Sequence, residues 1–574
     1  MTEAKKQFVS LFLAILLVVV YFAPIHLSLA DEPRHGGTLI VGIKGEPSTL
    51  NPSLTAAYLN IQFLCPMFET LVNYDDQLNP VPNLVTSWEV SSDSKKYTFH
   101  LLQNCTWHDG VQFTSADVKF SIEQVLLPLL PHASNPYGNL DHVETPDNYT
   151  VILYYNTSRP FVMKYLGHMY SGIIPKHLYE GTDILTNPHN LEPVGNGAFK
   201  FQEYVKGDHL TLVKNDDYFR SDRPYLDKII FRIFPDTETM LLALEEGEIN
   251  YIPTFLALEA NDRLKGNADL QMLFVPLPQY TMETVYFNQL NPILANVTVR
   301  KAIAHAINRT AMLDTLTYGL YNLAEGPFFR QGATAWIFDD RPAVTWPYEY
   351  NVTKANMLLD QAGYPKDTDG WRFTVRHCYS THRAIWVSEA FLVKDFLEAV
   401  GIKVNLEAYD FSTWLDKVFT KWDWDMTYST MAAGGPDPIE MHMNFAPNNH
   451  VKAPWTNAMA WNNTRAQEIF DLAGVESNWT KRAELYYELD QLMSDDVVGV
   501  FMFERVSGYA WSKEFVGLPA GPWGWDTHYQ VYSTAVTAPP SPFPWEVVAA
   551  VAVGLVVVAG AGVFYWNRRR KVHK

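Results

Sequence analysis

Three times in this chain a segment with apolar residues at helical spacing runs into a glycine and then into a short alternating strand. Thr237 to Glu246 gives way at Gly247 to Ile249 through Ile252. Ala355 to Ala362 ends at Gly363 before Trp371 to Val375, and Ile385 to Val400 ends at Gly401 before Ile402, Val404, Leu406 and Ala408. Glycine accepts the left-handed backbone that stops a helix at little cost. Helices and strands joined in this way restrict the fold to the α/β class. Between Asn79 and Pro193 the texture changes to short apolar runs broken by Pro, Asn and Gly, with helical spacing only around Asp117 to Leu127. A separate, strand-rich subdomain is expected there.

The two ends carry a different signal. Lys5 and Lys6 precede an apolar run from Phe8 to Ala23 and the small-residue stretch Ser28, Leu29, Ala30, which is the order of an export signal. The run is shorter than the roughly 20 residues of a spanning helix, which favours cleavage near Ala30 over retention as an anchor. At the other end a Pro-rich spacer, 538–546, leads into the uncharged apolar segment Val547 to Tyr565 and then Arg568, Arg569, Arg570 and Lys571. Trp545 and Trp566 suit the two membrane interfaces, and a basic tail stays on the cytoplasmic side. The folded region is therefore expected to face outward on a single-pass anchor at 547–566, with 567–574 as the cytoplasmic tail. The first cysteine is Cys65, so no lipid attachment site follows the signal. Acceptor sequons stand at Asn104, Asn148, Asn156, Asn296, Asn308, Asn351, Asn462 and Asn478. Asn308 falls inside an expected helix and is the doubtful member; the other seven are expected glycosylation sites, and the combination suits an archaeal cell surface.

Composition limits the partners. The formal charge of -19 repels phosphate backbones, and no basic stripe interleaved with aromatics is present, so nucleic acid is excluded. Cys65, Cys105 and Cys378 permit at most one disulfide. The signatures HExxH, GxSxG and GxxxxGK[ST] are absent, and no cofactor is implied. His108 and Asp109 precede Gly110 in a tight turn, where a structural role outweighs acid–base chemistry. Asp117, after Thr114 and Ser115, reads as a helix start. Asp367, Asp369 and Gly370 imitate only the beginning of a calcium loop.

The stretch WHDGVQFTSADVKFS (107–121) resembles the signature of the family 5 extracellular solute-binding proteins, the group that contains dipeptide-, oligopeptide- and nickel-binding receptors. PVGNGAFKFQEY (193–204), the block 215–252, VRKAIAHAINRTAMLDTLTYG (299–319) and ANMLLDQAGY (355–364) are similar to further family blocks in family order. The resemblance covers roughly residues 36 to 533. It implies a two-lobed, periplasmic-binding-protein-like receptor of the class II type with discontinuous lobes. Lobe I would take 31–74, 197–287 and 501–537, an inserted subdomain 75–196, and lobe II 288–500, with hinge crossings near Phe287 and Val500. Such a receptor is expected to be a monomer, without catalytic activity, that closes on its ligand and delivers it to an ABC permease driven by cytoplasmic ATPases.

The resemblance also implies candidate ligand contacts at Tyr58, Glu69, Tyr280, Asn288, Ala433, Gly434, Asp437 and Trp523. In peptide-binding relatives a Trp-x-x-Asp segment just before an acidic residue and proline holds the ligand's α-amino group. Aligned on Asp437 and Pro438, this chain carries Met431 in place of the Trp and Gly434 in place of the carboxylate. A buried ammonium needs a paired charge, so recognition of a free peptide N-terminus is not expected. Trp455, Trp461, Trp523 and Trp525 keep an oligosaccharide open beside a peptide as ligand. A surface-anchored hydrolase with an unrecognised site stands as the alternative.

Overall fold

The computed structural model describes residues 33–75, 78–168, 171–253, 258, 260–276, 281–330, 332–342, 345–432, 437–518 and 530–534. The export signal, the spacer and the 547–566 segment lie outside these residues. Among the described residues no helix is long and apolar enough to cross a membrane. Gly37–Val531 forms one compact unit. In the unit formed by the two chain ends, the Arg34 guanidinium donates to the Thr534 carbonyl at 2.7 Å.

Two large sheets organise Gly37–Val531. The first holds seven strands in the order Leu270–Pro276, Val506–Ser512, Tyr251–Ile252, Thr38–Lys44, Lys228–Phe234, His209–Lys214 and Phe199–Val205. Thr38–Lys44 runs parallel to both of its neighbours. Leu39, Val41 and Ile43 are buried, as suits a central strand. The helix Thr237–Glu245 begins where the Asp236 side chain accepts from the Thr239 N–H at 2.9 Å. Gly247, at φ 76°, ends it ahead of Tyr251–Ile252. The second sheet holds six strands in the order Asn322–Leu323, Gly499–Glu504, Thr281–Phe287, Met426–Ala432, Phe373–Ser380 and Ile402–Tyr409. The helix Ala384–Ala399 links the last two of these through Gly401, at φ 89°.

The chain passes from the first sheet to the second between Pro276 and Thr281, and returns between Glu504 and Val506. The Arg505 N–H donates to the Thr281 carbonyl at 3.1 Å, tying the two crossings together. This corrects the boundaries expected near Phe287 and Val500, because Thr281–Phe287 lies in the middle of the second sheet between Met426–Ala432 and Gly499–Glu504. A strand buried on both faces has the same apolar texture in either lobe, so texture alone cannot assign it.

An antiparallel sheet of Val85–Val90, Lys96–Leu101, Thr150–Tyr155 and Leu140–Asp147 stands apart, in an insert between the first strand of the first sheet and Phe199–Val205. Its helix Ser115–Phe120 starts in a capping box made by Thr114 and Asp117. Two of the sequence blocks meet at its base. The His108 Nδ1 accepts from the Gly195 N–H at 3.1 Å, which leaves Nε2 to donate to the Gly197 carbonyl at 3.0 Å. A Cβ on Gly195 would lie 1.9 Å from the Met67 carbonyl oxygen, so only glycine lets the backbone come this close. Cys65, Cys105 and Cys378 are all buried.

Burial pushes the His108 imidazole down to about 4, so it is neutral at neutral pH. An imidazole with a depressed pKa contributes stability that is whole above the unfolded value near 6.5 and is lost as pH falls towards 4. Wild-type stability in urea should fall by about 3 kcal/mol more over that interval than that of His108→Gln, which has no titrating group there. Parallel profiles would show that His108 does not carry this dependence.

Candidate ligand-binding site between the two sheets

Thr281, Ala432 and Glu504 lie at one end of the second sheet, and the C-terminal ends of Phe373–Ser380 and Ile402–Tyr409 lie at the same end. In the first sheet the ends at Lys44, Phe234, Ile252 and Pro276 share the side from which the crossings leave. Open α/β sheets bind ligands beyond the carboxyl ends of their strands. Both sheets thus turn such an end towards the crossings.

At that end of the second sheet a charged cluster closes over the strand Thr281–Phe287. The Glu283 side chain has no exposed surface. Its Oε1 accepts from the Arg383 guanidinium at 2.9 Å and lies 3.3 Å from Arg505 Nε, while Oε2 accepts from the Trp386 indole at 3.1 Å. Arg383 and Arg505 keep 23% and 17% of their side-chain surface exposed. Despite its burial, the Glu283 carboxylate holds the Arg383 guanidinium above its ordinary range and therefore charged. Two cations share one anion, so among the described residues the Glu283, Arg383 and Arg505 set has a net formal charge of +1. Arg383 also stands at the N-cap of Ala384–Ala399, whose dipole favours an anion in the same place. His382 packs on Phe411 and on Trp386, with ring centroids 4.6 and 4.7 Å away. Phe411 is exposed and forms an aromatic rim with Trp455 behind it. Burial, with Arg383 beside it, holds the His382 imidazole below its ordinary range.

The structure distributes the expected contacts unevenly. Tyr58 is buried in the helix Tyr58–Leu64 of the first lobe. Glu69 is buried against Asn83, Tyr218 and Arg220, and burial raises its carboxyl pKa. Asn288 follows Phe287, at the end of its strand opposite the crossings, and its Nδ2 donates to the carbonyls of Trp424 at 2.8 Å and Trp422 at 3.2 Å. Seven residues of strand, about 23 Å, separate it from the crossings. Asp437 has no exposed surface and forms a two-pronged pair with Arg482 at 2.5 and 2.6 Å. Arg482 in turn is packed against Phe161, Trp336, Trp479 and Tyr486. Tyr280, Ala433, Gly434, Trp523 and Trp525 lie outside the described residues. Trp461 is buried and donates to Asp496, as a core residue does.

Glu283, Arg383 and Arg505 escaped the sequence reading, although one signal was present. A Glu inside the apolar stretch TMETVYF must find a partner if the strand is buried, and nothing local supplies one. Asn104, Asn148, Asn156, Asn351, Asn462 and Asn478 are exposed, whereas Asn296 is half-buried. Asn296, Asn351 and Asn478 accept backbone bonds through Oδ1 at helix starts, which leaves Nδ2, the atom a glycan modifies, outside those bonds. Among the described residues no group of three or more His, Cys, Asp or Glu could hold a metal ion.

The family profile described as bacterial extracellular solute-binding proteins, family 5 middle, matches residues 79–453. A Brucella ovis protein named for peptide binding in an ABC transporter is 29% identical over 498 residues, covering 84% of this chain and 90% of its own. The oligopeptide-binding protein AppA of Bacillus subtilis is 25% identical over 507 residues, covering 83% and 87%. Among solved structures, the ABC transporter substrate-binding protein CtaP of Listeria monocytogenes superposes with a TM-score of 0.76 at 23% identity, over 87% of this chain and 100% of its own. The periplasmic binding protein DppA of Helicobacter pylori, in complex with the peptide STSA, gives a TM-score of 0.70 at 24% identity, over 87% and 98%. The fold is the two-lobed α/β arrangement of these proteins.

The pairing of Asp437 makes its role measurable. Asp437→Asn leaves the Arg482 charge buried without its partner and should cost about 3–5 kcal/mol in urea unfolding, and Asp437→Asn with Arg482→Met should recover part of the loss. A variant of unchanged stability that has lost ligand would instead make the carboxylate a ligand contact.

Proposed function

The chain belongs to the bacterial extracellular solute-binding proteins of family 5, and from that premise we propose that it is the substrate-binding component of an ABC importer that captures peptides by closing its lobes. The observation that carries this reading is the net positive charge of Glu283, Arg383 and Arg505 at the crossings. A peptide presents a carboxylate, at its C-terminus or on an acidic side chain, that this charge can hold. The relatives named for peptide binding support the same ligand class. Asp437, the acidic residue that the alignment offers beside a free N-terminus, is engaged by Arg482. The aromatic rim of Phe411 and Trp455 favours a second reading, an oligosaccharide, because sugars stack on such faces. A neutral sugar would leave the cation unanswered, which places the peptide first. Closure would be driven only by the ligand's greater affinity for the closed form, and the permease would read that form.

Calorimetry with one peptide in free, N-acetylated and C-amidated forms tests the reading. Acetylation should leave affinity within a few-fold. Amidation should weaken it by about 2–5 kcal/mol if the C-terminus is the anion, and Arg383→Gln should abolish the difference. A strong preference for the free amine, or tight binding of a β-linked oligosaccharide with no peptide bound, would overturn it.

We further propose that the apolar segment 547–566 tethers the receptor outside the cell and so raises its effective concentration at the permease. Protease added to intact cells should release a soluble fragment. Release only after lysis would reverse the orientation.

A further inference from the structure

The start of the helix Trp479–Asp495 stands where the insert meets the second lobe. The Ser477 hydroxyl donates to the Ser92 carbonyl of the insert at 3.5 Å. Trp479 and Thr480 line a cavity of about 1060 Å³, whose other walls include Trp336 of the second lobe and Tyr97 and Met163 of the insert. Between Ser477 and Trp479 stands Asn478, which is exposed and opens the acceptor sequon Asn478, Trp479, Thr480. Its backbone is extended, at φ -80° and ψ 109°, and its Oδ1 accepts from the Lys481 N–H at 3.1 Å. This cap uses only the amide oxygen, so a substituent on Nδ2 leaves it in place. A modifiable amide, an aromatic wall and an open space therefore meet at one position.

We propose that Asn478 carries an N-linked glycan whose first sugars seat in this cavity against Trp479. The proposal rests on the outward orientation proposed above, which brings the chain to the side where such glycans are added. In the transfer the Asn478 nitrogen attacks C1 of a lipid-phosphate-linked oligosaccharide. The N–C1 bond forms, the bond from C1 to the phosphate oxygen breaks, the amide proton passes to a base of the transferase, and the phosphate leaves with its lipid. Sugars offer an apolar face bounded by hydroxyls, and Trp479 keeps 40% of its surface exposed for such a face. Trp336 meets it edge-on with ring centroids 4.9 Å apart, so the two indoles form a corner. Asn79, Asp339, Asp340 and Arg341 also line the cavity and give the hydroxyls polar partners. The volume lies just above the range of about 300–1,000 Å³ of small-molecule sites, which leaves room for several rings. Ser477 also borders a second cavity of about 520 Å³, lined by Arg465, Glu476, Lys481 and Glu488, where among the described residues no aromatic ring offers a stacking face. A hydrated glycan fills the larger space without the gain that apolar side chains would bring, so the junction can still part when the receptor opens.

The test uses the full chain purified in detergent from the membranes of its own cells. Mass spectrometry of the proteolytic peptide that holds Asn478 should show the added mass of hexose or N-acetylhexosamine units. Asn478→Gln and Thr480→Ala should lose that mass, and Thr480→Ser should keep it. Hydrogen exchange then reads the seat. Backbone amides from Val90 to Tyr97, which the insert presents to the cavity, should exchange roughly two- to tenfold more slowly than in the same sequence made in a bacterium without the transferase. That comparison changes no residue, and Asn478→Gln from the native cells should match the bacterial product. Trp479→Ala leaves the sequon intact, so it should keep the glycan and lose the protection. An unmodified Asn478 overturns the proposal. So does a glycan at Asn478 that leaves exchange from Val90 to Tyr97 unchanged, which would put its sugars in solvent. Protease release from intact cells reads the orientation separately, so a bare Asn478 on a released fragment strikes the glycan and leaves the outward orientation standing.

Discussion

A carboxylate sealed inside a central strand has to be answered by cations, and at Glu283 that requirement arranges the middle of the molecule. A lone buried charge there would cost several kcal/mol or force the group to take a proton. Two guanidiniums and the Trp386 indole meet it instead, and they come from places far apart in the chain. Arg383 starts the helix Ala384–Ala399, and Arg505 sits on the crossing that returns to the first sheet. The pair therefore does two things at once. It fixes one crossing against the second lobe, and it leaves a surplus positive charge where the lobes meet. An Arg-to-Met change would remove the surplus and loosen the crossing together.

Much of the architecture could be read from local chemistry. The three helix-to-strand units are present because a glycine at φ 76°, 90° or 89° stops each helix, and that demand is visible in one residue. The capping box of Thr114 and Asp117 is equally local. The lobe boundary was not legible, since Thr281–Phe287 is apolar for reasons that either sheet would satisfy. The cluster at Glu283 is non-local in the same sense: one hundred residues separate Glu283 from Arg383, and nothing in either segment names the other. Asp437 could be read as a charge in an informative segment, but not as one already engaged, because Arg482 is 45 residues away.

The blocks that carry the family resemblance serve shape more than capture. His108 and Asp109 belong to the most recognisable stretch, yet His108 clamps Gly195 and Gly197 while Asp109 pairs with His177. The glycines of the second block are required because the backbone at Met67 leaves no room for a Cβ. A motif of this kind reports the scaffold of a family faithfully and says little about which member binds what. Arg383 and Arg505 lie outside those blocks.

The insert meets the second lobe through Leu78, which packs into the core of that lobe, and through Phe161, which lies under the Arg482 guanidinium. A receptor that closes must not hold itself shut, because a ligand can shift the equilibrium only by its difference in affinity for the two forms. Beside these contacts lies a cavity of about 1060 Å³ lined by Tyr97 and Met163 of the insert and Trp336 and Trp479 of the second lobe, and packing it with apolar side chains would bury surface on closing and favour the closed form with nothing inside. Arg482 and its aromatic surroundings are the tightest part of the junction, but the charge they hold is answered within the second lobe by Asp437, so opening does not strand it.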